Sequence, residues 1–194
     1  MKKILIIIIS FNLCFNHVFS TEPDIFVQST VNRASQILSK NISKEEKMNS
    51  LKIVAKETVD IEGIGYYSLG SARKNLNDNQ KKIYFDLFEN YFLKSFSSRL
   101  SEYTNPKINV ESKKVINENY TIVNSVLIST ADRPQVKIDW RIYTKNPNEP
   151  LIRDLIIEGL SLARTQREEF ASILNSNDGD IKALFETLEN FSKN

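Results

Sequence analysis

Apolar residues recur along this chain with two different periods, and the switches between them divide it into helices, a sheet, and helices again. From Pro23 onward, Ile25, Phe26, Val31, Ile37 and Leu38 fall at roughly helical spacing, with the proline at a first turn that has no use for its missing N–H. Ser43-Lys44-Glu45-Glu46 has the Ser-x-x-Glu form of a capping box, and the helix it starts carries Met48, Leu51, Val54 and Ala55 on one side. Val59 to Gly70 contains Gly63, Gly65 and Gly70 and predicts one or two short helical turns. Asn77 or Asp78 then caps the longest helix, which is expected to run to about Tyr103. Its stripe of Ile83, Tyr84, Leu87, Phe88, Tyr91, Phe92, Phe96 and Leu100 is wide and aromatic, which predicts packing on more than one side.

After Pro106 the period becomes two. Ile108 and Val110 begin one strand, Asn117-Glu118-Asn119 turns, and Tyr120 to Thr130 forms a second. Asp132-Arg133-Pro134 turns again into the cleanest alternation in the chain, in which Val136, Ile138, Trp140 and Ile142 face one way and Lys137, Asp139 and Arg141 face water. Residues 146–150 turn into a last strand from Leu151 to Glu158. Four strands joined by short loops predict an antiparallel meander. Two closing helices follow. Thr165-x-x-Glu168 reads as a second capping box ahead of Phe170, Ile173 and Leu174. Asp178-Gly179-Asp180 makes a turn, and Ile181, Leu184, Phe185, Leu188 and Phe191 mark one face of the final helix. The predicted class is α+β, with helices stacked on one face of a single sheet.

The first twenty residues stand outside this pattern. Lys2 and Lys3 precede an apolar run from Ile4 to Phe15, too short for the ~20 residues that span a bilayer. Val18-Phe19-Ser20 supplies an acceptable cleavage site, so residues 1–20 read as a secretory signal peptide and 21–194 as one domain. Leu13 before Cys14 is not the small residue that a lipoprotein signal requires. Cleavage changes the inventory, because the chain's one cysteine, Cys14, and one histidine, His17, depart with the signal. Removing Lys2 and Lys3 from 26 basic residues leaves them equal in number to the 24 acidic ones. A neutral surface gives no electrostatic case for nucleic acid. Without thiol or imidazole there is no Ser-His-Asp or Cys-His nucleophile and no ordinary zinc site.

The remaining candidates for chemistry are weak. Gly63-Ile64-Gly65 has its next glycine at Gly70, the wrong offset for a dinucleotide loop, and close helix packing explains it as well. Ser71-x-x-Lys74 lacks partner motifs, and Asp178-Gly179-Asp180 is too short for a calcium loop. Asp60 with Glu62, and Asp154 with Glu158, could act as acid–base pairs on an enzyme, or could serve as hydrogen-bonding groups at the ends of elements. The aromatic helix and the Trp140 face form either a filled core, as in an adaptor module, or a lined cavity. Periodicity does not separate the two.

Several of these segments together resemble the MlaC family, also called the toluene-tolerance or auxiliary-transport family. Leu69-Gly70, Asn79-Gln80, Phe85, Phe88 and Tyr103 are similar to the family's central pattern. Asp154-Leu155-Ile156-Ile157-Glu158-Gly159-Leu160-Ser161 is similar to its Asp-x-x-x-Glu-Gly-x-Ser segment, with Phe170 following at the family's distance. The resemblance runs from about residue 24 to 191. One departure is that Pro150 and Leu151 stand where the family often has an aromatic residue.

The resemblance implies a nuclear-transport-factor-like cone with an apolar cavity between sheet and helices. It implies a monomeric periplasmic carrier that binds diacyl phospholipid and needs no cofactor or metal. Its partners would be an outer-membrane lipoprotein complex and an inner-membrane ABC transporter with its lipid-receiving periplasmic protein, which together maintain outer-membrane lipid asymmetry. The expected lining combines Tyr66 and Leu69 with Phe88, Tyr91 and Phe92 of the long helix. The sheet would contribute Ile122 and Val126, then Val136, Ile138, Trp140 and Ile142, then Leu155 and Ile157.

Overall fold

A computed structural model describes residues 21–131 and 133–193; the signal-peptide reading of residues 1–20 lies outside the described residues. Local chemistry sets most helix starts. Helix α1 (Pro23–Ser39) has its proline in the first turn. Helix α2 (Lys44–Thr58) opens on the expected capping box, with Glu46 N donating to Ser43 Oγ at 3.2 Å and Ser43 N donating to Glu46 Oε2 at 2.9 Å. Helix α3 (Ile61–Ser68) is capped by Asp60, which accepts from Gly63 N at 2.8 Å. Helix α4 (Asp78–Leu100) starts at a capping box formed by Asn77 and Gln80 and stops three residues before Tyr103.

The strands β1 (Ile108–Asn117), β2 (Tyr120–Leu127), β3 (Val136–Tyr143) and β4 (Leu151–Ile157) form the expected antiparallel meander. A fifth strand, β5 (Leu160–Ser161), pairs with the end of β4. Its two-residue connection holds Glu158 at φ +48° and Gly159 at φ +84°. Positive φ at both central positions matches the twist of a hairpin, which explains the Glu-Gly pair there.

Helix α5 (Leu162–Asn175) corrects the expected second capping box. It begins at Leu162, capped by Ser161, and Thr165 lies one turn inside, donating to Ser161 O at 3.0 Å. The hairpin delivers the chain to Ser161 already extended, so the earlier cap wins. Asp178 and Gly179, both at positive φ, turn the chain into α6 (Ile181–Lys193).

The pleat sorts the sheet into two faces. Thr121, Val123, Ser125 and Leu127 pair directly with Ile142, Trp140, Ile138 and Val136, so all eight point to one side. Helix α1 lies against that side: Gln28 Oε1 accepts from Val110 N, and Lys113 Nζ pairs with Glu22 and Asp24. The Lys113 hydrogen bond holds the Asp24 carboxyl below its ordinary range. Trp140 and Ile142 join Val27, Val31, Tyr84, Phe88 and Phe170 in one core. Tyr84 and Phe88 stack, and Phe170 meets both edge to face, standing at 87° to one ring and 88° to the other. Helix α4 packs against α2, α3 and α6, which accounts for its encircling aromatics.

Candidate functional site

The opposite face of the sheet carries Tyr120, Ile122, Asn124 and Val126 of β2 across from Tyr143, Arg141, Asp139 and Lys137 of β3. On β4 the alternation breaks. Arg141 pairs with Asp154 and Ile142 with Ile152, leaving Arg153 as an extra residue in a bulge. Arg153 and Asp154 therefore both line this face. Asp154, 5% exposed, accepts from Ser161 Oγ at 2.6 Å and from Ala163 N at 3.0 Å, which ties the start of α5 to β4. Arg153 pairs with Asp60 at the start of α3, donates to the Tyr120 hydroxyl at 3.3 Å and lies 4.5 Å over the Tyr143 ring. Its Nε is buried and has no hydrogen-bond partner.

These contacts fix the starts of α3 and α5, which pack against each other, and where the two helices meet the sheet they leave a cleft of about 420 Å³. Its walls include Tyr67, Ile116, Tyr120, Ile122, Arg141, Arg153 and Ala163. A second cleft of about 470 Å³ shares Tyr67 and Arg141 and adds Ser161, Arg164, Arg167 and Glu168. Both volumes fall within the roughly 300–1,000 Å³ usual for small-molecule sites. The combination is amphipathic: isoleucine and tyrosine surface lies beside guanidinium groups.

Most residues expected to line a cavity lie outside these two clefts. Leu69, Phe88, Ile138, Trp140 and Ile142 are packed in the core behind the sheet, with Val136 and Leu155 against it. Ile157 is half-buried beside Ile138 on that same side. Tyr91 is half-buried and donates to Gln166 Oε1 at 2.8 Å; burial, with the Glu169 charge, raises its phenol above the ordinary range. Phe92 stacks on Phe96 and Tyr66 on Phe85. Ile122 lines the first cleft, while Val126, on the same face, is buried near the far end of β2. The structure thus separates Ile122 and Val126 from the Trp140 set by the thickness of the sheet.

The pattern missed Tyr67, Arg141, Arg153 and Ala163. The carboxylates considered for acid–base work have structural tasks: Asp60 caps α3 and pairs Arg153, and Asp154 anchors α5. Glu62 is exposed, and Glu158 sits in the β4–β5 turn, accepting from Lys137 N. Among the described residues no three metal-binding side chains cluster, and no helix is long and apolar enough to cross a membrane.

A helical layer over one meander, with an amphipathic cleft on the sheet's other face, defines an α+β binding fold. The family model described as "MlaC protein" matches residues 28–190, and the chain belongs to that family. A relative from Haemophilus influenzae, the "Intermembrane phospholipid transport system binding protein MlaC", is 24% identical over 166 residues, covering 81% of this chain and 77% of its own. The fold is also that of a Ralstonia solanacearum phospholipid-binding protein solved in complex with a phospholipid. That structure superposes with a TM-score of 0.75 at 16% identity, over 89% of this chain and 98% of that one.

Proposed function

We propose that this chain is a periplasmic phospholipid carrier, whose cleft beside Ile122 and Tyr67 receives acyl chain while the headgroup stays near water. The observation that carries the reading is the amphipathic cleft, in a chain whose relatives bear phospholipid-binding names. Each CH₂ removed from water contributes about 0.8 kcal/mol, so a free lipid crosses an aqueous gap slowly. A membrane offers the same burial, so a carrier has only to match it. Direction then belongs to its partners, an outer-membrane lipoprotein complex on one side and an inner-membrane ABC transporter on the other. No catalytic step is assigned to the chain.

The test is mass spectrometry of an organic extract of the protein exported in a Gram-negative host. Diacyl phospholipid in near-stoichiometric amount is expected, and a lipid-free protein that also takes none from vesicles would refute the carrier. Intact mass of the same sample is expected to match residues 21–194 without acylation, which places the protein free in the periplasm.

A further inference from the structure

The two clefts meet at Tyr67 and Arg141, and their chemistry differs. The first presents Ile116 and Ile122; the second presents Arg141, Arg164 and Arg167. Only one carboxylate, Glu168, lines the second cleft, and Arg164 Nε engages it at 3.1 Å. Asp154, on the neighbouring wall, already accepts from Ser161 Oγ and Ala163 N. Arg167 lies 5.1 Å over the Tyr67 ring, and its side chain makes no hydrogen bond or ion pair among the described residues. Arg141 forms no ion pair or hydrogen bond through its side chain among the described residues. Its register places it directly opposite both Ile122 and Asp154, so one strand position joins the charged cleft to the apolar one.

We propose that Arg141 and Arg167, assisted by Arg164, hold the phosphodiester of the bound lipid. The headgroup then sits at the start of α5, and an acyl chain runs past Tyr67 toward Ile122 and Ile116. Guanidinium groups suit this task because their planar fork matches two phosphate oxygens at once. This assignment rests on the carrier reading and adds to it a lipid orientation and a selectivity. Lipids that carry a phosphate are retained over phosphate-free lipids with the same chains, since the acyl cleft alone treats them alike.

Delipidated protein is incubated with phosphatidylcholine vesicles containing labelled phosphatidylglycerol, or labelled diacylglycerol of the same chains, and protein-bound label is counted. Wild type is expected to favour phosphatidylglycerol. The double variant Arg141→Gln/Arg167→Gln is expected to lose roughly tenfold in phosphatidylglycerol uptake, with a distinctly smaller change in diacylglycerol uptake. The corresponding double lysine variant recovers part of the loss. Equal uptake of the two labels by wild type, or an equal fall of both in the variant, overturns the phosphate subsite and leaves the carrier standing. Uptake of neither label removes both proposals. If inorganic phosphate raises the melting temperature of delipidated wild type as much as phosphatidylglycerol does, the site binds a free anion and the headgroup assignment fails.

Discussion

The indole N–H of Trp140 donates to Ser125 Oγ at 2.8 Å, between neighbouring strands and out of reach of solvent. Ser125 Oγ in turn donates to Ile138 O at 3.0 Å, so the polar atom of the largest side chain in the sheet is satisfied internally. Such an arrangement belongs to a filled core. Ser125→Ala leaves the indole N–H buried without an acceptor and is expected to cost about 1–3 kcal/mol. Urea denaturation checks this. Trp140 emission is expected to be that of a buried indole and to stay the same when lipid is added.

Two isoleucines on opposite faces of the sheet separate binding from stability. Ile122→Asp places a carboxylate in the cleft and is expected to abolish lipid uptake while lowering stability by less than about 1 kcal/mol, because the position is half-open. Ile138→Asp buries an unpaired charge in the core and is expected to cost about 3–5 kcal/mol. Lipid uptake and thermal unfolding of both variants are the measurements. Equal loss of uptake at equal stability would place the ligand on the Trp140 face instead.

Gly65 of α3 lies directly against Phe88 of α4. A Cβ built there would stand 2.8 Å from Phe88 Cδ1, and Phe88 is 1% exposed, with no room to retreat. Gly65→Ala is expected to lower stability by about 1–3 kcal/mol through overpacking, more than the gain of up to ~1 kcal/mol from helix propensity. A reduced urea midpoint with an unchanged slope checks it.

The Tyr84 hydroxyl donates to Gly65 O at 2.9 Å, and burial pushes its ionisation far above the ordinary phenol range. The folded chain therefore keeps a proton that the unfolded chain releases above pH ~10. Stability from this group is complete below that pH and declines as pH rises beyond it. Tyr84→Phe is expected to cost about 0.5–1.5 kcal/mol at neutral pH and to make the alkaline loss shallower. Tyr91, shifted in the same direction, retains part of the slope. Melting temperatures across pH 8–11 provide the comparison.

Much of the architecture was readable because it is local. Ser43 with Glu46 starts α2 through hydrogen bonds within four residues, and Val136 to Ile142 alternates without exception. Thr165 and Glu168 show the limit: the spacing is right, yet Ser161 caps the helix because the β4–β5 hairpin ends there. The cleft was less readable. Alternation tells which residues share a face, and cannot tell which face is filled. Trp140 and Ile142 are buried in one core with Val27 of α1 and Phe88 of α4, whereas Tyr67 and Ile122 line one cleft whose shape depends on where Arg153 and Asp154 hold α3 and α5. Those two consecutive charges also break the period of β4, which disguises them as ordinary surface.

The bulge at Arg153 has an evolutionary consequence. Before it the core-facing residue of β4 is even-numbered, Ile152; after it they are odd, Leu155 and Ile157. Deleting Arg153 would restore regular alternation and leave Ile152, Leu155 and Ile157 all on the core side, while removing the guanidinium that pairs with Asp60 and lines the cleft. A change of chain length at this one point therefore alters the cleft and leaves the sheet's core face as it was.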